Sequence, residues 1–308
     1  MTPSNIGAIH LSFTMQAQEF EKPAMHFSNR EYLDYCVSAI KPSTPDSILE
    51  VAAGTCACGR SLAPFAQTVT CLDTTSAMLE VGKREAEKSQ LNNMVFVKGR
   101  AEELPFLDNS FDIVISRLAF HHFPDTEPPF QEMDRVLKTG GKLVLIDMEA
   151  PEEALRATRD KIESMRDPSH IKNLNQAEFL KLFADHSLSI LKCDKTEIPV
   201  SLEKWMNLTK TPAITRAKII SYMETDIKGE AKTGFSPFLK EGELFFHQNW
   251  TIIIGKKRCK MKTGTSSPDN MPTYIQENPV SGYFTSSISD NACPCFSKNC
   301  SRSPQSTA

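Results

Sequence analysis

The chain has 308 residues, with 35 Lys plus Arg against 38 Asp plus Glu and a formal net charge of −3. Hydrophobic residues make up 40% and charged residues 24%, ordinary globular values that exclude a mainly disordered or collagen-like chain. The near-neutral balance offers no general attraction for nucleic acid or anionic lipid.

In chain order, residues 1–46 hold Phe13, Gln16, Phe20 and Tyr32 among polar residues, as an amphipathic helical segment packed on the core would. Residues 47–51 read as a short buried strand, 60–66 as helix, 68–72 as a second strand and 76–90 as a long charged helix. A third strand is expected at 94–97 and a fourth at 111–116. Helical spacing covers 128–137, with Gly140-Gly141 as its stop, and 142–147 is the fifth strand. Strands alternating with helices need crossovers, so the sheet is mainly parallel with helices on both faces. Further on, 152–165, 176–186, 202–208 and 214–227 read as helices, 189–200 as an edge strand and 244–254 as a long strand.

The composition changes near Gly255. Residues 263–308 contain ten serines and five prolines without an apolar period, too little to offset ordering entropy. The expected organisation is an N-terminal helical segment at 1–46, an alternating strand-helix core at 47–150, the rest of the same domain with further helices at 151–255, and a disordered tail at 256–308. That tail carries seven basic and three acidic side chains, so residues 1–255 are acidic, at net −7.

The longest apolar runs, such as Ile252-Ile253-Ile254, are strand-sized, far below the roughly 20 residues of a membrane helix. The first 15 residues lack the basic stretch and apolar core of a signal peptide. The nine scattered cysteines then read as reduced thiols, and a cytoplasmic location is expected.

The first strand runs into Glu50-Val51-Ala52-Ala53-Gly54-Thr55-Cys56. Small residues at this turn let a ligand approach the backbone closely, at the carboxyl end of the sheet where doubly wound folds bind ligands. Asp73, ending the second strand, suits ribose hydroxyls. Glu50 beside the turn would repel a pyrophosphate but suits a cationic ligand, which favours a sulfonium compound over a dinucleotide. No phosphate-binding Gly-Lys-Ser/Thr loop is present.

Four blocks sharpen this reading. They are Ile48 to Thr55, Asp73-Thr74-Thr75-Ser76-Ala77-Met78-Leu79, Ala101-Glu102-Glu103-Leu104-Pro105-Phe106 with Asn109-Ser110-Phe111-Asp112, and His121-His122-Phe123 followed by Glu132 to Gly141. In this order and spacing the chain resembles the class I S-adenosylmethionine-dependent methyltransferases, specifically the UbiE-like small-molecule group. The resemblance implies a Rossmann-like, doubly wound seven-stranded sheet of order 3-2-1-4-5-7-6, strand seven antiparallel, with a cofactor-binding core at 47–150, helical cap insertions within 151–255 and residues 1–46 folded over the cofactor as a lid. It implies S-adenosylmethionine as cofactor and a methyl group passed to a small organic molecule. It places Ala52, Gly54 and Thr55 at the methionine moiety, Glu50 near its amino group and Asp73 on the ribose. Thr74 and Met78 would flank the adenine, Ala101 and Glu102 would meet its edge, and Ser116 and Arg117 would close the pocket beneath the methionine.

Three positions depart from the family pattern. Ala52 and Cys56 replace glycines, and Cys56 is expected to crowd the ligand. Arg100 stands where relatives carry an aspartate, and a cation cannot accept the adenine's hydrogen bond. The Ala52 change is mild, but Cys56 and Arg100 leave a catalytically silent, partner-binding relative as a rival. An NAD-dependent dehydrogenase is disfavoured by Glu50 and by the missing third glycine.

His121 and His122, just past the fourth strand, are the candidate general bases, since histidine titrates near neutrality. Asp147 and Glu149 end the fifth strand within reach of a substrate. Cys56, Cys58 and Cys71 lack the paired spacing of a metal site, so no metal is expected. Trp205, Trp250 and Phe245 read by default as core. No helix gathers basic residues on one face, which disfavours a nucleic-acid substrate. The oligomeric state and the methyl acceptor are not legible.

Overall fold

Strand β1 (Ser47–Val51) is the centre of the sheet, flanked on one side by β2 (Thr68–Asp73) and β3 (Met94–Lys98). On the other side lie β4 (Phe111–Arg117) and β5 (Leu137–Met148), and all these pairings are parallel. A computed structural model describes residues 4–21 and 29–258; the expected tail lies outside the described residues, apart from 256–258. Ile48, Leu49 and Val51 are fully buried, as strands covered on both faces must be.

The remaining strands are β6 (Leu188–Ser201), β7 (Phe238–Lys240) and β8 (Glu243–Lys257). The sheet order is β3-β2-β1-β4-β5-β8-β6, with β8 antiparallel to both neighbours. The order expected from the resemblance holds, with β8 in the place of the seventh strand. The short β7, which sequence reasoning missed, pairs with the start of β8 through a turn at Glu241 (φ 53°) and Gly242 (φ 84°). Two successive positive φ values make the tight turn whose twist matches a hairpin.

Helices α1 (Ser4–Gln16), α2 (Arg30–Ile40), α3 (Ala57–Leu62), α4 (Ser76–Lys88), α5 (Glu127–Val136) and α6 (Glu153–Arg166) precede α7 (Gln176–Asp185), α8 (Leu202–Leu208) and α9 (Ala213–Ile227). One apolar core joins the β1, β4 and β5 side chains to Phe130 and Met133 of α5 and Phe179 and Phe183 of α7. A second lies under the cap: Ile162, Trp205, Met206, Ile219 and Met223 pack on Phe246 and Trp250 of β8. A third, smaller cluster sets Phe13 of α1, with Ala17 and Phe20 just beyond it, against Met78 and Val81 of α4.

Two boundaries move for physical reasons. Helix α3 begins at Ala57 rather than residue 60, because Cys56, at φ 60°, completes the turn. Helix α5 stops at Val136, and Leu137 already pairs with Phe111, so Gly140-Gly141 lie inside β5 instead of ending a helix. A Cβ on Gly141 would sit 2.7 Å from the Asp112 carbonyl oxygen.

Gly255 in β8 faces Phe183, and a Cβ there would lie 2.5 Å from that ring. The ring is wholly buried and has no room to retreat. Gly255→Ala should therefore destabilise the fold by about 1–3 kcal/mol, an overpacking penalty. In a thermal melt that is a loss of at least about 2 °C; an unchanged midpoint would show that α7 shifts freely.

Candidate active site

A cavity of about 250 Å³ is lined by the carboxyl ends of the parallel strands, by α1 and by the cap. Its floor is the turn after β1. Ala52, Gly54 and Cys56 all have positive φ, at 53°, 53° and 60°. This winding brings the Gly54 N–H to Asp73 Oδ2, at 2.8 Å, while Asp73 Oδ1 accepts from Thr75 N at 2.7 Å. Asp73 therefore braces the β1 and β2 turns against each other, with its carboxyl lining the cavity. Burial raises its pKa, against the pull of those two amides.

Glu50 is 2% exposed, and its Oε2 accepts from Gly59 N at 2.8 Å in the first turn of α3. Burial pushes its carboxyl up to about 7, with the Gly59 amide and the Arg117 charge opposing. It reaches the cavity wall, but one oxygen is committed to holding α3.

The site residues expected from sequence are mostly brought together. Glu50, Ala52, Gly54, Thr55, Asp73, Thr74 and Met78 line the cavity, and so do Ala101, Glu102 and Arg117. Ser116 is the exception: it is fully buried within β4, paired with Val51 and Leu145, and does not reach the cavity. Side chains alternate along a strand, so Arg117 faces the cavity end and its neighbour does not. Cys56 also departs from expectation. It is wholly buried, and a Cβ on Gly82 of α4 would meet its sulfur at 2.9 Å, so its side chain packs against α4 and leaves the cavity clear. Arg100 does line the wall, 3.5 Å from the Glu102 carboxylate, which supplies the acceptor that arginine lacks.

His121 and His122 form a short helical turn after β4 and line the cavity with their rings 4.1 Å apart. His121 Nδ1 lies 2.5 Å from Asp147 Oδ1. Asp147 is fully buried; it also accepts from Phe120 N at 2.6 Å, Ala119 N at 3.1 Å and Met148 N at 2.7 Å. Burial alone would lower the His121 pKa, but the Asp147 charge and hydrogen bond raise it. His122 is pushed down to about 3 by burial and by the neighbouring His121. Its Nδ1 lies 3.1 Å from the Ser169 carbonyl, which a neutral ring satisfies by donating. Among the described residues, Nε2 of neither ring has a hydrogen-bond partner.

Helix α1 closes one side. Asn5 donates to the His122 carbonyl at 2.9 Å, His10 Nε2 lies 2.8 Å from Thr74 Oγ1, and Phe13 sets its ring edge-on to His122. Ser12 and Gln16 donate to Asp167, at 2.9 and 3.3 Å. Asp167 and Arg166 were not picked out from sequence, because a charged pair at a helix end reads as solvated. Trp205, Trp250 and Phe245, assigned there to core by default, reach the cavity wall.

A parallel sheet of this order, with its ligand cavity over the β1 turn and an acid closing β2, defines a class I methyltransferase. The comparisons agree: residues 49–145 match the family model described as a methyltransferase domain, and the chain belongs to that family. It is 31% identical to the uncharacterized methyltransferase YcgJ of Bacillus subtilis (strain 168) over 235 residues, 75% of this chain and 92% of the relative. The solved structure of YcgJ superposes with a TM-score of 0.68, covering 73% of this chain and 97% of that one at 29% identity. The uncharacterized protein YafE of Escherichia coli (strain K12) is 34% identical over 58% of this chain and 87% of its own.

The Glu50 carboxyl makes a test independent of any ligand. Its native pKa of about 7 lies above the ordinary 4.5, so the native state binds more protons than the unfolded one between those values. Stability then falls as pH rises from 4.5 to 7. Glu50→Gln keeps an oxygen for Gly59 and removes the penalty. It should raise the thermal midpoint at pH 8, by up to about 3 kcal/mol of stability, and leave it unchanged near pH 4.5. A gain equal at both pH values would contradict the assignment.

Proposed function

We propose that the protein is an S-adenosylmethionine-dependent methyltransferase acting on a small organic molecule, the activity expected from the resemblance. The observation that carries this reading is the pairing of an open β1 turn with acidic walls. At Gly54 a Cβ would meet no protein atom within 4 Å, so the turn's innermost backbone faces space a ligand can fill. Glu50, Asp73 and Glu102 surround that space, a set that complements a cationic sulfonium and would repel a pyrophosphate. Asp73 would hold the ribose hydroxyls, since each carboxylate oxygen accepts more than the one amide it already binds. Arg117 would face the methionine carboxylate, and Met78 and Ala101 the adenine.

Bound there, the cofactor supplies an activated methyl group on sulfur. The chain's own part is to align the acceptor, exclude water and take up a proton. α1 and the cap enclose the cavity and so keep water from the reacting atoms. His121 is the base this geometry favours, because Asp147 fixes Nδ1–H and leaves the Nε2 lone pair to the cavity. It would withdraw the acceptor's proton as the acceptor atom takes up the methyl group. His122, held neutral by burial, would pack beside it without carrying charge. The enclosed cavity supports a small-molecule substrate over nucleic acid or a membrane, and the buried thiols of Cys36, Cys56, Cys58 and Cys71 fit a reducing cytoplasm.

Calorimetric titration tests the reading. The parent should bind S-adenosylmethionine, and its demethylated product, but not NAD. Asp73→Ala should bind at least about tenfold more weakly, since each charge-assisted hydrogen bond contributes about 1.5–3 kcal/mol. It should also melt earlier, because two backbone amides lose their acceptor. A parent that binds NAD alone, or no cofactor, overturns the proposal.

His121 makes a separate prediction. Its raised pKa means that the free base appears only above the ordinary histidine range, so the turnover rate should climb with pH through a midpoint above 6.5. His121→Asn should lose that pH-dependent limb and most of the rate while binding cofactor like the parent. A variant with an intact profile would remove His121 from catalysis.

A further inference from the structure

One buried polar side chain on the cavity wall leaves a donor unused. Gln248 lies on β8, is 8% exposed and lines the cavity. Trp250, two residues on and therefore on the same face of the strand, donates its Nε1–H to Gln248 Oε1 at 3.3 Å. An indole nitrogen can only donate, so this bond fixes which way the carboxamide points. The oxygen is turned to Trp250, and the Nε2 amino group is turned away from it. Among the described residues Nε2 has no hydrogen-bond partner. Nor is it sealed in protein: the fully enclosed atoms without a partner include Trp205 Nε1 and Arg166 Nε, but not Gln248 Nε2. What lies open to Nε2 is the cavity that Gln248 lines.

The surroundings explain why the protein does not satisfy this donor itself. Ile198 stands directly opposite on β6, and Phe246 and Trp250 flank Gln248 on the same face. None of these side chains has an oxygen to offer. Met148 and Val200, which belong to the same packed cluster and also line the cavity, are apolar as well. Buried polar groups are normally paired, so the acceptor for Nε2 comes from outside the chain. A ligand that displaces water from this place has to restore the hydrogen bond with an atom of its own.

We propose that Gln248 donates to a carbonyl oxygen of the methyl acceptor, which makes the acceptor an uncharged carbonyl compound with an apolar body. The chemistry of a lone carboxamide amino group selects this partner. It offers hydrogens and no lone pair. A carbonyl oxygen has lone pairs and no hydrogen, so neither side is left with an unmatched group. A hydroxyl in the same place would bring an O–H with no acceptor inside the apolar cluster. An ionised carboxylate would give up its hydration for a single neutral donor. Gln248 is a specificity residue in this scheme, and the proposal rests on the methyltransferase reading above.

The test is calorimetry on the full chain saturated with S-adenosylhomocysteine. The probes are 4-phenyl-2-butanone, 4-phenyl-2-butanol and 3-phenylpropionate, which vary the oxygen group on a similar apolar body. The ketone should bind about fivefold more tightly than the alcohol, and more tightly than the carboxylate. Gln248→Leu should weaken the ketone to the level of the alcohol, while S-adenosylhomocysteine binds as in the parent. An infrared spectrum of the bound ketone supplies a readout that a merely structural glutamine would not move. In the parent the carbonyl stretch should lie below its position in hexane, and in Gln248→Leu it should return there. If that variant fails to fold, because the Trp250 N–H has lost its acceptor, the band in the parent still decides. An unshifted band, equal binding of ketone and alcohol, or binding of no probe overturns the carbonyl assignment while cofactor binding stands. Tighter binding of 3-phenylpropionate overturns the uncharged class. Failure of S-adenosylhomocysteine itself to bind is the separate failure of the methyltransferase reading.

Discussion

The whole site hangs on one buried carboxylate. Asp147 is fully enclosed at the end of β5, where an ionised group is tolerable only if its lone pairs are satisfied. It achieves this by accepting from three backbone amides and from His121. Those amides belong to Ala119, Phe120 and Met148, so the same bonds fix the loop after β4 and the exit of β5. The His121 charge and these amides hold the carboxyl below the usual carboxylate range, despite burial. From His121 the order propagates outward: its ring packs against His122 at a tilt of 46°, His122 meets Ser169, and Ser169 donates to Asp167. Asp167 in turn receives Ser12 and Gln16 of α1. The position of the helix that covers the cavity is thereby tied to the end of a central strand.

Along this chain of contacts the charges alternate in function. Glu50, Asp73, Glu102 and Asp167 line the cavity together with Arg100, Arg117 and Arg166, so both signs of charge share its wall. Like charges gathered in one place would repel and destabilise the fold. Glu50 and Asp73 are held by backbone donors, and Arg117 and Arg166 lie over the Trp250 and Trp205 rings, at 5.5 and 4.6 Å. This placement follows from the architecture. Acidic residues end β1 and β2 beside the first turn, and the arginines end β4 and α6 beneath the cap.

Much of this is legible in the sequence. The sheet is, because Ile113 to Ile115 and Ile252 to Ile254 are continuous apolar runs that only a doubly covered sheet buries. The β1 turn and Asp73 are, because small residues and an acid at strand ends have few other uses. The cap is less so. Trp205 and Trp250 read as core since burial and ligand contact favour the same residue types, and only tertiary packing separates the two roles. Arg166-Asp167 carries little local signal: Ser12 and Gln16, which donate to Asp167, lie on α1. The resemblance placed Ser116 and Arg117 together just beyond the fourth strand, but both lie within β4, where a single step reverses the face. The β7 hairpin was missed because Glu241 is an unusual residue for a positive φ.

The turn after β1 explains which of the family's glycines this chain dispenses with. Ala52 and Cys56 adopt the left-handed conformation at about 1–2 kcal/mol each, and strain of this kind persists only where surrounding contacts over-determine it. Those contacts are present. The Ala53 amide next to Ala52 donates to the Leu72 carbonyl at 3.0 Å, and the Cys56 amide donates to the Ala53 carbonyl at 2.8 Å. The Cys56 side chain is seated against α4, so its burial offsets part of the strain. Gly54 differs from both, because a Cβ there would project into the cavity rather than into protein. Packing against α4 can reward a side chain at position 56, but nothing in the protein can reward one at 54, where the only neighbour to be gained or lost is the ligand. The glycine retained is the one whose Cβ would stand in the ligand's place.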